Sequence, residues 1–161
     1  INGNLTLSAD KIYSKHNLIK SFESRLKFYN GNLNIEQFLI NLGKLGAADV
    51  IGKINNDKKF TNLKFESNIF VDNKKKFISK FGIYDVKKLF SNAFVSGNFD
   101  LDNAKLSIYE ISDDKKLNIN DVNYIESEFN DIMLENDFLN LFNFVKFKFF
   151  LKSIISEINL Y

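Results

Sequence analysis

Few side chains in this sequence are able to do chemistry, and their spacing limits what that chemistry is. His16 is the single histidine, set in the polar stretch Ser14-Lys15-His16-Asn17, and none of the 161 residues is a cysteine. A metal ion would have to take its other ligands from carboxylates alone, and a nucleophile–base pair would need one particular serine among many. A solvated imidazole accounts for His16 without either. Asp100 and Asp102 stand at the first and third positions of a calcium loop. Lys105 then occupies the place of the required glycine and Ile111 that of the bidentate glutamate, so the two acids read as the outward face of a strand entering a turn. Asp113-Asp114 and the pair Glu126 and Glu128 lack an activated nucleophile or a matched acid–base partner. The expectation is a chain with no catalytic residue, no metal and no cofactor.

The lysines admit two other chemistries. Lys74-Lys75-Lys76 and the pairs around Lys58, Lys87 and Lys115 are the only basic clusters, Arg25 is the only arginine, and the net charge is +2. A nucleic-acid partner is therefore not expected, since neither a strong basic balance nor a binding motif is present. Three lysines at a helix start oppose the helix dipole, so they do not serve helix stability. Beside anionic lipid head groups each would contribute on the order of 1 kcal/mol. Asn4-Leu5-Thr6 matches a glycosylation sequon, a pattern short enough to arise by chance.

What remains is apolar. Hydrophobic residues make up 45% of the chain and charged residues 26%, with 18 Phe and no Trp or Pro. That balance buries enough surface to offset the entropy of ordering, so a folded chain is expected. The length suits one domain or a few repeating units. No run of about 20 apolar residues is present to span a bilayer as a helix. The chain opens at Ile1 without an initiator methionine or a signal-like segment, and is expected to be a piece of a longer protein whose targeting signal or anchor lies elsewhere.

The period of the apolar residues is mostly two. Leu5 and Leu7 alternate with Asn4, Thr6 and Ser8, and 18–29 carries Leu18, Phe22, Leu26 and Phe28 toward Asn30-Gly31. Asn-Gly favours a type I′ hairpin, whose central residues both need positive φ, and the return strand holds Leu33 and Ile35. A small-residue strand is expected over 46–54, and another where Leu63, Phe65, Ser67, Ile69 and Val71 share a face. Asp72-Asn73 caps a helix over 74–82 that Gly82 ends. A helical turn is expected in 85–95, a second hairpin over 97–111, and a Phe-rich helix over 137–151, while 117–134 fits a strand at either end and a helix through 121–129, which periodicity alone does not arbitrate. The final residues read as the opening of another strand.

Part of this repeats. Leu26 set against Phe99 aligns Phe28 with Leu101, Asn30 with Asn103, Leu33 with Leu106 and Ile35 with Ile108. Ile69, Val71, Asp72 and Asn73 align likewise with Ile132, Leu134, Glu135 and Asn136, suggesting a strand-to-helix junction used twice. The expected units are 1–84 and 85–152, with 153–161 starting a further one. The expected fold class is mainly β with short helices: repeating antiparallel strands forming a curved, groove-like sheet with one apolar face.

The stretches GNLTLSADKI, YNGNLNIEQF, LGAADVIGKI, FTNLKFESNIFVDNKKKFISKFGI and GNFDLDNAKLSIYEI together resemble the AsmA-like family of repeating β-groove envelope proteins. The resemblance covers most of 1–111 and implies a Gram-negative protein anchored in the inner membrane and facing the periplasm. It also implies a non-catalytic role in phospholipid transport or outer-membrane biogenesis. Groove-facing candidates are then Leu5, Leu7, Phe28, Leu33 and Ile35 in the first part of the chain. In the second part they are Leu63, Phe65, Phe99, Leu101, Leu106 and Ile108. Phospholipid is the partner that the resemblance implies, and a sheltered acyl chain would gain roughly 0.8 kcal/mol per buried methylene. The alternative is a structural module of a cell-envelope or cell-surface β-array, in which the same face is an ordinary core.

Overall fold

The computed structural model of the chain describes residues 2–13, 16, 18–55, 62–84, 89–133 and 144–158. Alternation produces seven strands: β1 (Gly3–Ala9), β2 (Ser21–Tyr29), β3 (Asn32–Asn41), β4 (Gly46–Ile54), β5 (Asn62–Val71), β6 (Asn92–Asp100) and β7 (Lys105–Ser112). Each pairs antiparallel with the next in sequence, giving one open, curved sheet in the order β1 to β7. The sheet runs past residues 84 and 85 without interruption, because β5 pairs directly with β6.

Two bulges keep the apolar residues in phase. In β3 the register slips after Ile35, so that Phe38 pairs with Ser24 on one side and Val50 on the other. In β7 it slips after Ile108, so that Ile111 pairs with Val95. Strict alternation would send Phe38 and Ile111 to the polar face; one extra residue in each strand returns them to the apolar one and bends the strand. The two bulges follow equivalent residues of the repeat, Ile35 and Ile108.

The turns obey their residues. Asn30 and Gly31 take φ of 49° and 77°, and Tyr29 pairs with Asn32 across them, as expected of a two-residue hairpin. The second hairpin is longer, with Asp100 paired to Lys105 across four turn residues and positive φ only at Ala104. Asp100 organises it, its carboxylate accepting from the backbone N–H groups of Asp102 and Asn103 and from the Asn103 amide. Leu101 therefore lies in a turn and not on a strand, correcting the alignment with Phe28, although it packs on Phe99 and Leu106. Gly46 has φ of 143°, and a Cβ there would meet the Phe70 carbonyl at 1.8 Å, so only glycine lets β4 start this close to β5.

Among the described residues, three helices cover one end and one side of the apolar face. α1 (Lys74–Phe81) begins at Asn73, whose side chain accepts from Lys76 N–H, and stops at Gly82 in the left-handed region. Phe77 and Phe81 pack with Val71, Ile83, Leu89 and Ile155, and Phe81 and Ile83 are the most fully buried large side chains. α2 (Ile119–Met133) starts from a reciprocal cap in which Asp121 N–H donates to Asn118 Oδ1 while the Asn118 amide donates to the Asp121 carboxylate. α3 (Phe144–Ile158) lies against α2 and α1.

Several sequence expectations change. The stretch 117–134, open between strand and helix, contains α2. Ile132 is helical, so its alignment with Ile69 of β5 marks no second strand-to-helix junction. The helical turn expected within 85–95 is not found in the part described: 89–91 are not helical and β6 begins at Asn92, while residues 85–88 lie outside those described. The Phe-rich helix starts at Phe144 and runs to Ile158, taking in residues expected to open a strand, because Phe147, Leu151 and Ile155 are spaced to face the α1 cluster. The expected start near Asp137 falls outside the described residues.

Replacing Phe81 by Ala is expected to cost about 3–5 kcal/mol in urea unfolding, since its ring fills the centre of the largest core cluster. A second expectation concerns pH. The Asn103 side-chain hydrogen bond, backed by the backbone bonds and by Lys105, lowers the Asp100 pKa below its ordinary 3.8. A depressed folded value means that the carboxylate supports the turn above the unfolded value and stops doing so as pH falls through the folded one. In an NMR titration the amides of Asp102 and Asn103 should hold their turn shifts until below pH 3.8, and Asp100→Ala should abolish that transition.

Candidate functional site

Hydrogen-bonded neighbours in an antiparallel sheet present their side chains to the same face, so the register itself draws the site. One row runs Leu5, Leu26, Ile35, Gly52, Phe65, Gly97, Ile108 across all seven strands. Its neighbour runs Gly3, Phe28, Leu33, Ile54, Leu63, Phe99, Leu106. A third carries Leu7, Ser24, Phe38, Val50, Ser67, Val95 and Ile111. Of the residues picked from sequence, all but Leu101 fall in these rows. Leu26, Phe38 and Val50 belong with them and were not picked, although Leu26 and Phe38 stand in the quoted apolar runs.

The glycines have a purpose here. Gly52 and Gly97 flank Phe65 in its row, and a Cβ on Gly97 would sit 3.2 Å from the far ring carbon of Phe65 and 2.4 Å from the Ser107 carbonyl. Leaving both neighbours bare gives the largest side chain of the row room to lie over the sheet.

Cover divides the face in two. Over β5 to β7, Phe99 and Leu106 are buried with Phe129 of α2 against them, and Ile111 is buried with Val122 and Ile125. Phe150 and Ile154 of α3 join that second cluster. Over β1 to β3 the apolar members of the same rows are half-buried or exposed, with Leu5 at 42% and Leu7 at 47%, while Ser24 of β2 is buried. The opposite face of these strands carries Asn4, Thr6, Glu23, Arg25, Lys27 and Asn34, which makes the sheet amphipathic.

A basic margin lies at the end where β4 begins. Lys75, Lys76, Ser79 and Lys80 of α1 and Leu45 of the preceding turn line an open cleft of about 390 Å³. Lys80 is already engaged, donating to the His16 carbonyl at 2.7 Å and lying 5.6 Å over the Phe144 ring. His16 is exposed and its ring stacks on Phe144 with centroids 4.5 Å apart, so it has a neighbour beyond the solvent expected for it.

The remaining chemical candidates serve structure. Asp113 accepts from the N–H groups of Asp114 and Lys115 in a turn. Glu128 accepts from Ser153, which also bonds Tyr124, tying α2 to α3. Glu126 accepts from Ile108 N–H. Among the described residues no group of three or more His, Cys, Asp or Glu is placed to hold a metal, and no helix is long and apolar enough to cross a membrane. A second cleft, about 290 Å³, is lined by Thr6, Ser8, Asp10, Ser21, Phe22, Glu23, Leu39 and Asn41, with carboxylates but neither imidazole nor thiol. Comparison with protein-family models, curated proteins and solved structures finds no match to this chain.

A charge placed on each half separates open face from core. Leu7→Asp is expected to change unfolding free energy by only about 0.5 kcal/mol, because the side chain already meets water. Phe99→Asp buries a charge beneath α2 and is expected to cost roughly 3 kcal/mol or more in the same denaturation experiment.

Proposed function

We propose that this chain is a segment of an AsmA-like envelope protein whose amphipathic sheet shields lipid acyl chains. The setting is phospholipid transport or outer-membrane biogenesis, with the chain facing the periplasm and held to the inner membrane through a region outside it. The reading needs no catalytic residue and no cofactor. The observation that carries it is the set of apolar rows crossing seven strands, whose apolar members over β1 to β3 are exposed at Leu5 and Leu7 and only half-buried at Leu26, Phe28, Leu33, Ile35 and Phe38. Side chains already ordered by a sheet shelter an acyl chain at little added entropic cost, and each methylene removed from water contributes roughly 0.8 kcal/mol.

The margin of the face suits the other end of such a ligand. Lys75 and Lys76 border the cleft at the β4 end, where an anionic head group would stay in contact with water. A lipid held this way has its chains along the rows and its phosphate near α1.

One observation favours a second reading. Over β5 to β7 the same rows are core, sealed by α2 and α3, and a structural module of an envelope or surface array would use its whole face so. Native mass spectrometry of the purified chain with lipid extraction decides between them. Stoichiometric phospholipid, reduced about tenfold by Leu7→Asp with Phe38→Asp while circular dichroism keeps the β signal, is the expected result. A folded chain that carries no lipid in either form would move the assignment to the structural module.

A further inference from the structure

The net charge of +2 is not spread evenly over the chain. α1 carries Lys74, Lys75, Lys76 and Lys80 and no acid, and α3 carries Lys146, Lys148 and Lys152 against Glu157. Seven lysines and one glutamate give the two helices +6, which leaves −4 for the rest of a chain whose total is +2. The helices pack on each other through Phe81, Phe144, Phe147 and Ile155, so their charge is gathered at one place in the fold. Lys148 joins the two directly, its ammonium lying 2.8 Å from where a Cβ on Gly82 would stand at the C-terminal end of α1. A positive pole of this kind turns a protein toward an anionic surface before any contact forms.

The outward side of α3 is not simply polar. Phe147, Leu151 and Ile155 face the α1 cluster, and Phe150 and Ile154 the cluster around Ile111, which occupies the inward side. The exposed positions are Val145, Phe149, Lys152 and Ser156, spaced i, i+4, i+7 and i+11 and so forming one stripe. Val145 is 52% exposed and Phe149 65%. Among the described phenylalanines only Phe70 and Phe149 are exposed, and Phe149 is the more so. Apolar residues scattered singly over a surface need no account. Here two of them lie one turn apart, set among Lys146, Lys148 and Lys152, at the positive pole of the fold.

We propose that the outward stripe of α3 docks the chain on the surface of an anionic bilayer. Val145 and Phe149 enter the boundary between head groups and acyl chains, and Lys152, with Lys148 beside it, meets the head-group phosphates. An apolar stripe among lysines is what a helix lying in the plane of a membrane interface presents. The long lysine stem lets the ammonium stay with the phosphates while the ring of Phe149 goes deeper. Nucleic acid would engage the lysines but leave Val145 and Phe149 in water, and the chain has one arginine, in β2, to fork onto phosphates. The docking does not rest on the open rows over β1 to β3: it takes a bilayer surface and not an extracted lipid, and it suits a lipid-shielding segment and a structural module alike.

A chain without tryptophan makes the test direct. Phe149→Trp places a single reporter in the stripe, and Ile51→Trp places one on the opposite face of the sheet, where Ile51 is 46% exposed. Both positions are on the surface, so neither substitution disturbs a core cluster. The full chain is mixed with phosphatidylcholine vesicles made with or without about one third phosphatidylglycerol. Expected with the anionic vesicles are a blue-shifted Phe149→Trp emission that brominated acyl chains quench and an unchanged Ile51→Trp emission. Binding should be at least about tenfold tighter than to the neutral vesicles and should weaken as salt is added. In co-sedimentation Phe149→Ser should weaken binding about tenfold and Lys152→Gln about fivefold, while Ile51→Ser binds as the native chain does. No binding, equal binding to the two vesicles, or a bound chain whose Phe149→Trp emission stays unshifted would each overturn the docking. So would a single-stranded oligonucleotide that strips the chain from the vesicles while Phe149→Ser binds them as tightly as the native chain, which would assign the pole to nucleic acid. A chain that docks as expected yet releases no lipid in native mass spectrometry retains the docking and loses the acyl-shielding reading, so the two fail separately.

Discussion

The structure depends on a single phase being kept across seven strands. Side chains alternate faces along every strand, so a slip of one residue between any two neighbours would exchange apolar for polar over everything that follows. Tight turns hold the phase where they can, as Asn30-Gly31 does between β2 and β3. Where spacing departs from strict alternation, the bulges after Ile35 and Ile108 absorb the extra residue and keep Phe38 and Ile111 with their rows. Helix packing presupposes this: α2 has Phe99, Leu106 and Ile111 to cover only because they reach one face.

That face is both core and surface. Small β proteins usually bury one side of the sheet under a second layer, and here the second layer spans β5 to β7. Stability is thus concentrated around Phe81, Phe99 and Ile111, and the strands at the other side add apolar area without being under described helix. A polar substitution has a different meaning on each half, which is why the lipid-shielding and structural readings can be separated by experiment. The polar clusters fit the same picture: Asp100 builds a turn, Asp113 another, and Glu126 and Glu128 fasten α2.

The repeat is partial for a physical reason. Return strands β3 and β7 agree residue for residue through Leu33 and Leu106, Ile35 and Ile108, and the bulge that follows. The outgoing strands agree only with a shift, because one hairpin turns in two residues and the other in four, which carries Leu101 off the strand. A sheet tolerates such a change at a turn, where only loop closure is altered, far more readily than within a ladder.

Local residue chemistry in the sequence determined much of this chain. Alternation identified strands through Leu5, Leu26, Leu33, Leu63 and Phe99; Asn30-Gly31 determined the first hairpin; Asn73 and Gly82 bounded α1. Those are short-range effects, decided within a turn or a few residues. The tertiary structure alone decided the rest. Val122, Ile125 and Phe129 are at helical spacing, but that helix rather than strand runs to both ends of Ile119–Met133 was decided by their packing on one apolar face while Glu126 and Asn130 meet the β7 edge. Which half of the apolar face is sealed and which meets water is likewise absent from periodicity, since Leu7 and Phe99 sit in equally alternating strands. Burial depends on what packs from elsewhere in the chain, and that is a property of the assembled sheet.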